Sequence, residues 1–196
     1  MRKELIKFLS REDIQKALKT DDVKYCYEIL EELVNNFKVT YNLMNEITQL
    51  LLSANIDILK YLDKIYTYQF SGMPLTNITI PNKIKSIGLM AFGDCDDLTS
   101  VEIPDSVEKI EDWAFAHDVG ITDLKIGNGV TSIGNNAFGG CAKLTSITIP
   151  DNVTSIGEGA FRRCYGLENV TIPQRFMSSL YEIFGEHQLK INFTFI

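Results

Sequence analysis

From residue 75 onward the chain repeats itself every 23 residues. Leu75, Leu98, Ile121, Leu144 and Leu167 stand 23 apart, and so do Phe92, Phe115, Phe138, Phe161 and Phe184. A fixed period of this length means one small unit stacked on copies of itself, because no single copy can bury its apolar face alone. Such a stack offers long flanks and no natural deep pocket, so it points to surface recognition rather than to catalysis.

The copy from Leu144 to Gly166 shows the grammar. Ile147 and Ile149 alternate with Ser146 and Thr148, and alternation by two marks a strand with one buried face. Pro150 ends the strand, since proline cannot donate to a sheet ladder. Val153 and Ile156 return the chain to the interior, Gly157 helps it bend, and Ala160-Phe161 supply one small and one large apolar group on a turn. The other copies follow suit at Ile80, Ile103, Ile126 and Ile172, at Pro81, Pro104, Gly127 and Pro173, and at Ala91, Ala114 and Ala137. Stacked at a strand spacing of about 4.8 Å, the copies are expected to form a parallel sheet and a column of phenylalanines.

The unit L-x-x-I-x-I-P-x-x-V-x-x-I-G-x-x-A-F-x-x-C resembles the BspA-like leucine-rich repeat family over residues 75–173. The resemblance implies a leucine-rich-repeat solenoid and a role in protein binding or adhesion, often at bacterial or parasite surfaces. It brings no catalytic residues. The last copy departs from the pattern: Phe176 holds the valine position, Ser179 replaces an inward isoleucine, and Ser179 to Phe184 reads as a short helix. Counting 23 on from Val170 and Ile172 gives Phe193 and Phe195, which alternate with Asn192 and Thr194 as a further strand. That strand is either a plain cap or an open edge that pairs with another chain.

Before Leu75 the spacing is helical. Ser10 and the acids after it open one helix, Asp21-Asp22 cap a second with Val23, Cys26, Ile29, Leu30, Leu33 and Phe37 on one face, and the stretches 40–53 and 56–66 supply two more. Leu50 to Leu62 is weakly similar to the paired helices of an ankyrin-type repeat. The expected organisation is α+β: an N-terminal helical domain over 1–72, capping or binding, then a solenoid over 73–196 with five repeats and a terminal strand. No run of 18 apolar residues exists to span a membrane. The N-terminus lacks the apolar core of a signal peptide, so a cytoplasmic setting is expected, with secretion or surface display if a signal has been removed.

Cys95, Cys141 and Cys164 share one repeat position, which Asp118 takes in the copy between Cys95 and Cys141. A ladder of small buried thiols and a disulfide between Cys141 and Cys164 are both open. The scattered His117 and His187 and the lack of paired C-x-x-C argue against zinc, and Asp94-Cys95-Asp96-Asp97 lacks the loop glycine and distal glutamate of a calcium hand. No metal and no cofactor is expected.

The formal charge is −7, but residues 94–123 alone carry ten acids against the single base Lys109, a local −9. These acids are Asp94, Asp96, Asp97, Glu102, Asp105, Glu108, Glu111, Asp112, Asp118 and Asp123. Such a belt either keeps a stacked sheet soluble or docks a Lys/Arg-rich protein, and it repels nucleic acid. Beside it, Leu89, Met90 and Trp113 occupy turn positions that hold polar or small residues in later copies. They are either interface anchors or a face covered by the N-terminal helices. The expectation is therefore a non-enzymatic protein-binding module, a cytosolic adaptor or inhibitor engaging a basic partner surface. The candidate residues are Leu89, Met90, Trp113, Asp94, Asp96, Asp97, Glu102, Asp105, Glu108, Glu111, Asp112 and Asp123. The alternatives are self-assembly through the terminal strand, surface adhesion, and a virus-encoded inhibitor mimicking nucleic-acid charge. No sequence signature of an enzyme is present.

Overall fold

The computed structural model describes residues 65–196, the side chain of His187 excepted, all within the compact unit Asp63–Ile196. The helices expected before residue 65, the ankyrin-like stretch Leu50 to Leu62 and Cys26 lie outside the described residues. Each of the first four longer strands is followed by a two-residue strand, and the last two are not. The longer ones are β1 (Asn77–Thr79), β3 (Ser100–Ile103), β5 (Asp123–Ile126), β7 (Ser146–Thr148), β9 (Asn169–Ile172) and β10 (Asn192–Phe195). The shorter ones are β2 (Ser86–Ile87), β4 (Lys109–Ile110), β6 (Ser132–Ile133) and β8 (Ser155–Ile156).

Every pairing is parallel and joins equivalent residues of successive coils, as in Val101 opposite Leu124 and Ile110 opposite Ile133. The alternation read from the sequence decides which side is buried. Val101, Ile103, Leu124 and Ile126 face inward, while Glu102, Asp123 and Lys125 face solvent. The short strands make one four-stranded sheet, β2-β4-β6-β8, and the long strands divide into two three-stranded sheets, β1-β3-β5 and β7-β9-β10.

The phenylalanines form the expected column. Phe70, Phe92, Phe115, Phe138, Phe161 and Phe184 stack with successive ring centroids 5.0 to 5.6 Å apart and planes within 19° of parallel. All six are fully buried. The column starts one coil earlier than the 23-residue period reveals, because Phe70 stands 22 residues before Phe92. Ile65 likewise bridges Ile87, 22 residues on, and buried Met73 precedes Cys95 by the same step. Ile65 and Tyr66, read from sequence as the end of a helix, instead belong to this winding. A unit one residue short had hidden it.

The thiols run up the core as a ladder and are unpaired, so the disulfide alternative falls. Each Sγ donates to the carbonyl of a phenylalanine lower in the stack: Cys95 to Phe70 at 3.2 Å, Cys141 to Phe115 at 3.3 Å, and Cys164 to Phe138 at 3.1 Å.

The turn carrying Ala-Phe has a hydrogen-bond order of its own. Alternate residues donate their N–H groups to the coil that follows, as Trp113, Phe115 and His117 do to the carbonyls of Asn135, Ala137 and Gly139 at 2.7 to 2.9 Å. Residues between them bond back within the turn, Ala114 to Glu111 and Ala116 to Trp113. This zigzag requires left-handed backbone at two places per coil. The first is held by Tyr68, Met90, Trp113, Asn136 and Gly159, with φ between 49° and 66°. The second is held by Gly72, Asp94, His117, Gly140 and Arg163, with φ between 62° and 85°. Glycine and asparagine accept such angles readily, and bulky side chains do not.

After Pro173 the pattern changes. Ser178 and Ser179 stand where earlier coils place Ser-Ile of the short strand, and the second sheet accordingly ends at β8. A 3₁₀ segment Gln174–Ser179, the helix α1 (Leu180–Phe184) and a 3₁₀ segment Gly185–Lys190 follow, burying Phe176, Ile183 and Phe184. β10 then lies beside β9, with Phe193 opposite Val170 and Phe195 opposite Ile172.

Candidate interaction surface

The acidic belt does not form one patch. It runs round the coil, because its members sit on different sides of the winding. Glu102 and Asp123 project from the long strands, where Glu102 takes the ammonium of Lys125 from the next coil and Asp123 accepts from Ser100 Oγ at 3.5 Å. The Glu102 partner also holds the Lys125 ammonium above its ordinary pKa. Asp105 lies at the first corner and accepts the Asn128 N–H at 2.7 Å. Glu108 pairs with Lys85 at 3.1 Å and Glu111 with Lys109 at 3.2 Å. Three of the ten acids thus carry a lysine, two of these lysines (Lys85 and Lys125) coming from flanking coils, outside the window in which Lys109 stood alone. Exposed pairs of this kind contribute little to stability, but they lower the local charge that a partner meets.

Asp118 leaves the surface altogether. It is fully buried in the thiol ladder, its Oδ1 accepts the Cys95 N–H at 2.7 Å, and its Oδ2 has no partner. Burial pushes its carboxyl up to about 8, opposed by the Cys95 N–H and reinforced by the charges of Asp94 and Asp96. At neutral pH it is mostly protonated and adds little to the outer field. Charge counting along the sequence places it with the belt, because spacing cannot tell an inward carboxyl from an outward one.

What remains concentrated is the turn flank of the coils around Phe92 and Phe115. Trp113 is exposed at 38%. Leu89 and Met90 are half-buried rather than exposed, and Met90 shares with Trp113 the first left-handed position of its coil. His117 stands edge-on to Trp113, with ring centroids 6.1 Å apart at 81°, and its Nδ1 lies 3.2 Å from Asp94 Oδ1. Asp112 holds Asn135 through both oxygens, accepting its backbone N–H at 2.8 Å and its side-chain amide at 3.2 Å. Asp96 and Asp97, in the loop after Cys95, are exposed. The sequence singled out Trp113 and the acids but not His117, which needs the turn geometry to be seen beside them.

The strand side offers a different feature, an open polar trough of about 980 Å³ along β1, β3 and β5, floored by Asn77, Thr79, Ser100, Glu102 and Lys125. Among the described residues no group of three or more His, Cys, Asp or Glu is placed to hold a metal ion, and no helix is long and apolar enough to cross a membrane.

The comparisons with known proteins agree with the geometry. The crystal structure of a T. pallidum leucine rich repeat protein is similar, with 32% identity and a TM-score of 0.55, covering 56% of this chain and 52% of that one. So is a leucine rich cell surface protein from Faecalibacterium prausnitzii, with 31% identity and a TM-score of 0.54, covering 62% of this chain and 32% of that one. The chain therefore spans about half of the first relative's length and about a third of the second's. No curated protein matches. The pattern of the BspA type leucine rich repeat region matches residues 63–190 in six copies, a span that takes in Ile65 and Phe70 and reaches past residue 173. The chain belongs to the BspA type leucine rich repeat family.

Proposed function

We propose that the chain is a non-enzymatic protein-binding module that engages a basic surface of its partner through the turn flank around Trp113. The observation that carries this reading is the large apolar ring left open on coils bearing Asp94, Asp96, Asp97, Glu111 and Asp112. Interfaces centre on aromatic anchors rimmed by polar groups, and the charge of the rim selects the sign of the partner. The same charge disfavours a phosphate backbone, so the partner is a protein rather than a nucleic acid. A cytosolic adaptor or inhibitor fits this description. The F. prausnitzii relative is a cell surface protein, and that favours a second setting in which the same flank is displayed outside the cell.

Selection from a random-peptide display library tests the reading. Peptides retained by the protein are expected to be rich in Lys and Arg, to release at high salt, and to be lost by Asp96→Lys combined with Asp97→Lys. Both aspartates are exposed and make no side-chain hydrogen bond or ion pair among the described residues, so the double variant is expected to fold, which circular dichroism checks. Retained peptides of no particular charge, or peptides held equally by the double variant, would refute it. Self-association through β10 is the rival reading. It predicts an apparent molar mass by light scattering that rises with concentration and that the double variant does not alter.

A further inference from the structure

We propose, resting on the reading above, that the partner lays an arginine side chain against the indole of Trp113 and that its guanidinium reaches the carboxylate of Asp94.

The seat is built from three side chains on adjacent coils. Asp94 meets His117 through Oδ1 at 3.2 Å, and His117 meets the Trp113 ring edge-on at 6.1 Å. His117 thereby braces the indole at a steep angle while Trp113 stays 38% exposed. Asp94 Oδ2 is left to accept a further donor.

The winding itself does not need an aromatic here. Asn136 and Gly159 hold the same left-handed position in later coils, and their N–H groups make the same bond to the next coil, at 2.9 and 2.7 Å against 2.9 Å for Trp113. An indole on left-handed backbone is disfavoured by crowding of its Cβ, and His117 and Asp94 beside it carry the same left-handed geometry. The fold thus bears a locally unfavourable, partly exposed aromatic at a position whose winding is met elsewhere by asparagine or glycine.

The chemistry of the surroundings chooses the occupant. An exposed aromatic face attracts a cation, and the neighbouring fixed charges are acidic. The one base of this stretch, Lys109, is taken by Glu111. Arginine suits the seat better than lysine. Its guanidinium is flat and weakly hydrated, so it lies on a ring with little loss of solvation, and it can donate to a carboxylate from its edge at the same time. An ammonium is compact and more strongly hydrated, and it would satisfy the charge without the stacking.

The test uses two short fluorescein-labelled peptides that differ only in carrying arginine or lysine between glycines, titrated by anisotropy at low salt. Trp113 is the only tryptophan of the chain, so its emission reports contact directly in a parallel unlabelled titration. The arginine peptide is expected to bind about three- to thirtyfold more tightly than the lysine peptide and to shift the indole emission. Trp113→Asn, which places there the residue that position 136 already uses, is expected to bind both peptides equally and as weakly as wild type binds the lysine peptide. Circular dichroism checks that this variant is folded. Equal binding of the two peptides by wild type, with salt-sensitive affinity and unmoved emission, overturns the arginine seat and leaves the basic-partner reading standing. No binding of either peptide at low salt overturns both.

Discussion

Replacing Asp118 by asparagine should remove a pH dependence of stability that this one carboxyl builds into the fold. The folded group titrates near 8 because it is buried and because Asp94 and Asp96 oppose its ionisation. In the unfolded chain an aspartate titrates near its ordinary value, about 3.9. Between those two pH values the folded protein holds a proton that the unfolded chain has released. The unfolded state binds fewer protons, so the unfolding free energy must fall as pH rises, by about 1.4 kcal/mol per pH unit for one group. The contribution is fully present below about pH 4, is lost as pH climbs through about 8, and is level above that. From pH 5 to pH 8 the loss is on the order of 4 kcal/mol, a large share of the roughly 5–15 kcal/mol that hold typical domains together. Asparagine keeps an oxygen for the Cys95 N–H and carries no titrating proton. Urea unfolding followed by Trp113 fluorescence at pH 5, 6, 7 and 8 gives the measurement, and the quantity that matters is the difference between variant and wild type. That difference should grow with pH in favour of the variant. A constant difference across the range would show that Asp118 does not titrate there, and the argument from its buried, unpartnered oxygen would fail.

Other consequences can be checked with simpler assays. Burial pushes the Cys95 thiol up to about 12, and the hydrogen bond with Cys164, with burial beside it, raises that of Cys141; all three thiols are fully buried, so pulse alkylation read by mass spectrometry should leave Cys95, Cys141 and Cys164 unmodified in the native protein and modify them in urea. Phe115→Ala opens the column between rings 5.0 and 5.3 Å away and should cost about 3–5 kcal/mol in denaturant melts, with faster hydrogen exchange in the coils that adjoin it than in β10. Gly129→Ala would place a Cβ 1.8 Å from the carbonyl oxygen of Asp105, and it should destabilise by at least about 2 kcal/mol, since backbone rather than a side-chain tip must move. Arg163→Gly frees a left-handed residue at φ 62° and should raise the unfolding free energy by roughly 0.5–1 kcal/mol, the strain relieved exceeding the added entropy of the unfolded chain.

The repeat made much of the architecture legible before any coordinates. A fixed period leaves the large apolar residues only one way to stack, so the phenylalanine column and the strand alternation at Ile147 and Ile149 follow from spacing, whereas spacing alone left the thiol ladder open against a disulfide between Cys141 and Cys164. The coil holding Ile65 and Phe70 escaped because its unit is shorter by one residue, and a search at constant period loses everything on the far side of such a slip. The short strands escaped for another reason: two residues such as Ser132-Ile133 are too few to show alternation. The candidate surface was legible in composition and not in placement. Charge counting found the acids, but whether Glu102 meets Lys125 or Asp118 turns inward depends on which residues lie one coil away and on which side of the chain they emerge. The left-handed positions could have been suspected from Asn136, Gly140 and Gly159, which recur at turn sites; Trp113 and His117 at the matching sites masked the rule.

The direction of the turn bonds has a mechanical consequence. Trp113, Phe115 and His117 grip the coil that follows, and their counterparts from Tyr68 to Phe161 do the same, so coil-to-coil cohesion runs lengthwise. Tension applied between the two ends of the winding would load these contacts in series, not side by side. Under such a pull the protein would lengthen by peeling one turn of chain at a time, each release a separate small rupture instead of one global failure.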